Sequence, residues 1–335
     1  MENNYSFFIF STLLIIILSS IINSKTSLAA TTDKNALVQF KTSITSDPYR
    51  LLAQNWSIDT SSSSVCQWIG VSCGTKHNNR VTGLNISGFG LRGTLSPHLG
   101  NLTFLRYLDI SYNNFTGPIP RELSRLRRLR SIDMGFNSFA GQIPTWFGEL
   151  PQLEIMRLTN NTFTGSIPQE LSLLQRLRLL DMEANSLTGQ IPVWFGALPQ
   201  LELLNLRNNT LSGRIPEEFG NCSSLQLLYL SFNQLTGSVP YIIFNLSSIR
   251  EIRASYNYLS GTLPSDMCNN IPSLTFLAVT SNQLEGHIPP NIGNCTKLEV
   301  LSLSANRFNG EIPSEIASLS MLRELYLGVN EFKGI

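Results

Sequence analysis

Residues 201–216 read LELLNLRNNTLSGRIP, and the fold follows from this stretch. Leu204 and Leu206 alternate with Asn205 and Arg207, the period of a short strand with one face buried. Asn209 closes the strand, with Gly213 four residues and Pro216 seven residues beyond it. The same order recurs along the chain. Asn113, Asn137, Asn161, Asn185, Asn209, Asn233 and Asn257 stand 24 apart, Asn282 follows after 25, and Asn306 and Asn330 after 24 each. Counted from each Asn, apolar residues hold −8, −5, −3, +2 and +6, as in Leu105, Leu108, Ile110, Phe115 and Ile119. Gly persists at +4 from Gly93 to Gly334, and Pro at +7 from Pro120 to Pro313.

Each residue type has a physical reason to be where it is. One strand per coil, stacked at about 4.8 Å, makes a parallel sheet whose backbone groups pair with the coils on either side. The Asn at the strand end points inward, where its amide satisfies backbone groups freed as the chain turns. Gly at +4 allows a close approach, and Pro at +7 suits an extended segment that needs no ladder donor. A single coil buries little, so the array is stable only as a stack. The 335 residues therefore form one elongated solenoid rather than the two globular domains their number suggests.

This spacing resembles the plant-type leucine-rich repeat, LxxLxxLxLxxNxLxGxIP, over residues 81–335 in about eleven coils. The resemblance implies a curved solenoid with its parallel strands on the concave face and turns or 3-10 segments on the convex face. Residues 30–80 resemble the matching N-terminal cap, a small helical unit carrying Trp56 and the run Cys66-Gln-Trp-Ile-Gly-Val-Ser-Cys73. In such a cap Cys66 and Cys73 form a disulfide, contributing on the order of 2 kcal/mol. Phe89 takes the Asn position in coil one and Ser96 the Pro position, marking an adapted end unit. The sequence stops at Ile335 inside coil eleven without a closing cap, from which a longer parent product is expected.

Residues 1–29 read as a secretory signal peptide, with an apolar run from Phe7 to Ile22 and small residues at Ser27 and Ala29. No second apolar run of spanning length follows, so no membrane span is expected. Secretion would open nine Asn-Xaa-Ser/Thr sites to glycosylation: Asn55, Asn85, Asn101, Asn114, Asn160, Asn208, Asn221, Asn245 and Asn294. Cys222 and Cys295 fall at −11, where other coils carry Leu, and read as buried small hydrophobes; a bridge from Cys295 to Cys268 is the open alternative.

Side chains at −6, −4, −2 and −1 project from the concave face and are free of core duty. Charged, polar and aromatic residues concentrate there in the central coils: Arg157, Asp181, Glu183, Asn205, Arg207, Tyr229, Phe232, Arg253 and Tyr256. Arg and Tyr anchor interfaces, so this strip is the candidate ligand surface. Residues 121–168 and 169–216 align as an internal duplication sharing 30 of 48 positions, yet four of six concave positions differ, among them Gly135 against Glu183 and Thr159 against Arg207. That pattern fits a recognition face that diversified on a retained scaffold.

Other chemistries find little support. Net charge is +1 and charged residues make up 14% of the chain, which argues against nucleic-acid binding. The three His and five Cys offer no metal-ligand spacing, and no nucleophile, base or metal set converges, so no cofactor and no catalytic residue are expected. The cluster Arg121, Arg125, Arg127, Arg128 and Arg130 reads as a solvated convex face, with an anionic partner such as pectin as the functional alternative. Resemblance to plant receptor-like kinases, particularly the immune-receptor subgroup, implies an outer module that binds a peptide, protein or glycan and recruits a co-receptor kinase. The alternatives are a secreted inhibitor similar to polygalacturonase-inhibiting proteins, or a truncated decoy.

Overall fold

The computed structural model describes residues 31–56, 64–77 and 79–333, so the expected signal peptide lies outside the described residues. The cap opens with a helix through residues 31–42 and a short helix Leu51–Asn55, whose first amides are held by Asp47: Leu51 and Ala53 donate to its two carboxylate oxygens at 2.9 Å. Trp56 stacks on Trp68 at 5.2 Å between ring centroids, and Phe40 connects Trp56 to Phe115 of the repeats. Arg80 grips the fully buried Asp33 through two nitrogens at 2.7 and 2.8 Å, and Asp33 also accepts from the amide of Val81. A buried carboxylate is tolerated only when its lone pairs are filled in this way. The Cys66–Cys73 disulfide is present.

From the antiparallel pair Val71–Gly74 and Arg80–Asn85 a twelve-stranded sheet extends, parallel thereafter, with one three-residue strand per coil at −6 to −4. Tyr107–Asp109, Ile155–Arg157 and Leu227–Tyr229 are examples, each with its middle residue buried. On the convex side a five-residue 3-10 segment such as Arg121–Arg125 follows each Pro. The exception is the coil with the extra residue, where turns at 265–270 replace it. A second sheet, which the repeat pattern did not announce, runs along the flank at +1 to +4 in two six-stranded parts joined by a bridge from Gln190 to Ser212. Its +2 residues point inward, and Phe115, Phe139 and Phe163 stack there at 6.3 and 6.5 Å.

The repeated Asn does what its position predicts. The Oδ1 of Asn209 accepts the amide of Leu187, while its Nδ2 donates to the carbonyls of Met182 and Leu206 at 3.0 and 3.2 Å. The Leu206 carbonyl then receives Asn233 from the next coil, so the Asn side chains form a continuous ladder through the core. To aim this Asn inward, the backbone at −1 turns left-handed in every coil. Tyr112, Phe136, Asn160, Ala184, Phe232, Tyr256 and Val329 all have φ between 51° and 58°. Each such non-glycine residue costs roughly 1 kcal/mol, offset by the ladder it permits.

Cys268 and Cys295 are bonded across adjacent coils, with Cα atoms 5.2 Å apart. Cys295 is therefore buried, as its −11 position implies, but it is not a free thiol. The turn created by the inserted residue brings Cys268 within bridging distance. Cys222 is free and buried.

Candidate functional site

Strand register decides which concave side chains meet. Asp181 lies between Arg157 and Asn205, and Tyr229 lies between Asn205 and Arg253. All nine strip residues fall on the concave side, but Asn205 is buried there rather than exposed as expected, and contacts link most of them. Asn205 donates to Glu183 at 2.9 Å, and Arg207 approaches the same carboxylate at 3.3 Å. The Arg207 guanidinium also lies over the Phe232 ring at 5.2 Å, and Phe232 stacks on Tyr256 at 4.4 Å, nearly parallel. The Tyr229 hydroxyl donates to Glu251 at 2.8 Å, and Arg253 pairs with that carboxylate while lying over the rings of Tyr229 and Phe276. Phe232 and Tyr256 remain largely exposed, so planar apolar faces with a cation at one end are open to a partner.

Burial shapes the electrostatics. It pushes the Asp181 carboxyl above its ordinary range, against the amide of Glu183, whose hydrogen bond to the carboxylate works the other way. Asp133 is raised for the same reason and carries an ion pair of 3.8 Å with Arg157. The Tyr229 phenol is pushed up to about 12 by burial and by its bond to Glu251, so it is a fixed donor at any physiological pH.

Three parts of this face were not named in the sequence reading. Ile155, Leu179, Leu203 and Leu227 stand side by side at −6 as a half-buried aliphatic ladder on the concave surface. By residue type they look like core; the strand alternation that puts −6 on the concave face turns them outward. Glu251 and Phe276 extend the same column and hold Arg253. Toward the cap a hollow of about 500 Å³ opens between Ser72, Tyr107, Asp109, Ser131, Asp133 and Arg157, so that Arg157 joins it to the strip.

The remaining sequence candidates divide by location. Asn101, Asn221, Asn245 and Asn294 end convex 3-10 segments, Asn114 lies on the second sheet, Asn160 and Asn208 lie at −1, and Asn85 at a strand end. Asn55, Asn85, Asn245 and Asn294 already use their side chains in hydrogen bonds. Trp146 packs on Phe147 and Trp194 on Phe195, as scaffold. His98 bonds Ser96 within its own turn, and His287 meets the carbonyl of Asn309 in the next coil.

These features define a leucine-rich repeat protein, and comparison with known proteins agrees. Residues 30–74 match the leucine rich repeat N-terminal domain; residues 185–235 and the segments 104–126, 128–150, 152–174, 273–295 and 297–319 match leucine rich repeat models. The chain belongs to this family, and its relatives are plant leucine-rich repeat receptor-like kinases. It is 43% identical over 84 residues to the LRR receptor-like serine/threonine-protein kinase EFR of Arabidopsis thaliana, a stretch covering 25% of this chain and 8% of that kinase. Among solved structures it resembles the plant peptide hormone receptor RGFR1 in complex with RGF2, with 34% identity, a TM-score of 0.64, and coverage of 74% of this chain and 47% of that one. It also resembles a plant ice-binding protein, with 29% identity, a TM-score of 0.78, and coverage of 91% of this chain and 98% of that one. Among the described residues no helix is long and apolar enough to cross a membrane.

Proposed function

We propose that this chain is the ligand-recognition module of a plant leucine-rich repeat receptor-like kinase or receptor-like protein, working outside the cell in defence or developmental signalling. Its task is binding, not catalysis; catalysis and co-receptor recruitment would belong to the whole receptor. The observation that carries this reading is the concave strip of coils four to eight. There an aliphatic ladder at −6 in coils four to seven, charges at −4 or −2 in coils four to six and eight, and exposed aromatic rings at −1 in coils seven and eight lie side by side. An extended peptide laid across the strands meets aliphatic and ionic contacts in coils four to six and aromatic ones in coils seven and eight. The kinase relatives and the peptide hormone receptor neighbour support this reading.

The test is selection of a displayed library of secreted plant peptides on the secreted chain. The reading expects a binder that weakens at least about tenfold in Arg207→Ala/Phe232→Ala, the loss of one anchor cluster. Binders that ignore this substitution, or none at all, would refute it. The inhibitor alternative uses the same face and is separated by assaying polygalacturonase inhibition.

One observation favours a second reading. The ice-binding neighbour matches over nearly its whole length, and the second sheet here presents Thr116, Thr162 and Thr164, with Thr188 and Thr210 where its two parts meet, on an exposed face without charged neighbours at +1 and +3 in those coils. Thermal hysteresis of the purified chain would favour that reading, and its absence would remove it.

A further inference from the structure

A second pair of stacked rings lies at the rim of the concave face, outside the ligand strip. Tyr112 and Phe136, at −1 in coils two and three, stack at 4.2 Å with 9° between their planes, yet 58% of Tyr112 and 38% of Phe136 stay exposed. The next −1 residue is Asn160, which opens the glycosylation site Asn160-Asn161-Thr162. The coil repeat gives Asn160 the place relative to Phe136 that Phe136 holds relative to Tyr112. The amides of Tyr112 and Asn113 donate to the carbonyls of Gly135 and Phe136; one coil on, those of Phe136 and Asn137 donate to Thr159 and Asn160. The side chain at 160 therefore stands where the next plate of the stack would be, beside the face of Phe136 that Tyr112 leaves open. Among the described residues no ring and no cation lies over that face, and Gly135 adds no side chain next to it. Asn160 is itself exposed, with φ 51°, and its side chain makes no hydrogen bond among the described residues. In that it differs from Asn55, Asn85, Asn245 and Asn294, whose side chains are engaged.

We propose that Asn160 carries an N-linked glycan whose first sugar, an N-acetylglucosamine, lies against Phe136 and extends the Tyr112–Phe136 stack. This rests on the extracellular placement proposed above, and not on what the strip binds. The axial hydrogens of the sugar ring make one of its faces apolar, and the electron-rich face of an aromatic ring attracts such C–H groups. Covering Phe136 also withdraws apolar surface from water, which favours a held sugar over a freely swinging one. The internal duplication supplies a contrast. Asn208-Asn209-Thr210 repeats the site with the same left-handed asparagine, φ 55°. The Thr hydroxyls match too, Thr162 donating to the Phe139 carbonyl and Thr210 to that of Leu187, both at 2.8 Å. Before Asn208, however, the −1 residue is Ala184, and Phe232 on its other side has the Arg207 guanidinium over its ring. Two matching sites thus differ in whether a bare ring stands beside them. The held glycan borders the concave face at coil four, where Arg157 joins the hollow near the cap to the strip.

The test is the rate at which an endoglycosidase that cuts between the first two sugars releases each glycan from the native protein. The chain is secreted by cells that leave its glycans in the high-mannose form, and release is followed site by site with glycopeptide mass spectrometry. Asn160 is expected to be occupied, and its glycan to be released roughly fivefold or more slowly in the wild type than in Phe136→Ala, because a sugar pressed on a ring presents its next bond poorly to an enzyme. Alanine already holds this position in coil five, as Ala184, so the fold tolerates the change. Release at Asn208 should be the same in both chains, and denaturation should abolish the difference at Asn160. An unoccupied Asn160, a release rate there that ignores Phe136→Ala, an equal acceleration at Asn208, or a difference that survives denaturation would each overturn the proposal. A chain without glycan at any of the nine sites would overturn the extracellular placement as well.

Discussion

Replacing Asn209 with alanine removes a side chain whose hydrogen-bonding capacity is used entirely on the backbone. The Leu187 amide donates to its Oδ1 at 3.0 Å, and alanine leaves that amide bare in the core. The carbonyls of Met182 and Leu206 each keep a second Asn, Asn185 and Asn233, so each loses one of two bonds. The Arg207 carbonyl keeps the amide of Ala184. One orphaned amide and three weakened carbonyls sum to roughly 2–4 kcal/mol, a large share of the stability of an ordinary domain. Asn209→Asp retains the acceptor for Leu187 but turns a carboxylate oxygen toward three carbonyls, so it should cost at least as much at neutral pH. Asn208→Ala, at an exposed left-handed position, should lose no more than about 1 kcal/mol. Thermal unfolding by circular dichroism gives the total. Amide hydrogen exchange should show the loss centred on coils five and six, since each coil couples only to its neighbours. A loss below about 1 kcal/mol for Asn209→Ala, or wild-type stability for Asn209→Asp, would refute the ladder as the feature holding the turns.

Three further outcomes follow from the same structure. The Cys222 thiol, buried and pushed up to about 11, should resist a thiol reagent at pH 8 in the native chain and react once the chain is unfolded. The double variant Cys268→Ser/Cys295→Ser should lower stability by about 2–4 kcal/mol and raise hydrogen exchange in the two coils it links, leaving the cap unaffected. Asp181 is harder to ionise folded than unfolded because of its burial, so its charge opposes folding above the raised pKa. Asp181→Asn keeps the acceptor for the Glu183 amide and should melt higher than the wild type at pH 7, an advantage that fades as pH falls through the raised pKa; a constant difference across that range would contradict the assignment.

The solenoid was legible because Asn, Gly and Pro each occupy one position for one physical reason, and ten registered copies leave no second pattern to compete. The second sheet was not, since a strand at +1 to +4 turns only one side chain inward, at +2, and a single buried residue is no periodicity. The left-handed turn at −1 was equally silent: Phe136, Ala184 and Val329 share a backbone conformation and no chemistry. Within the site, the choice of columns came from the alternation, but the partners did not. That Arg253 is held by Glu251 and Phe276, or that Leu179 stands beside Leu203, depends on the register between coils. The Cys268–Cys295 bridge likewise required the geometry of an inserted turn, which counting along the sequence does not supply.

The central claim is that recognition occurs on the concave strip, and hydrogen exchange of the chain with and without a selected peptide tests it most directly. The account predicts slowed exchange confined to the concave strands and the turns after them, from Ile155 through Tyr256. Protection on the convex segments or on the second sheet, with those strands unchanged, would contradict it.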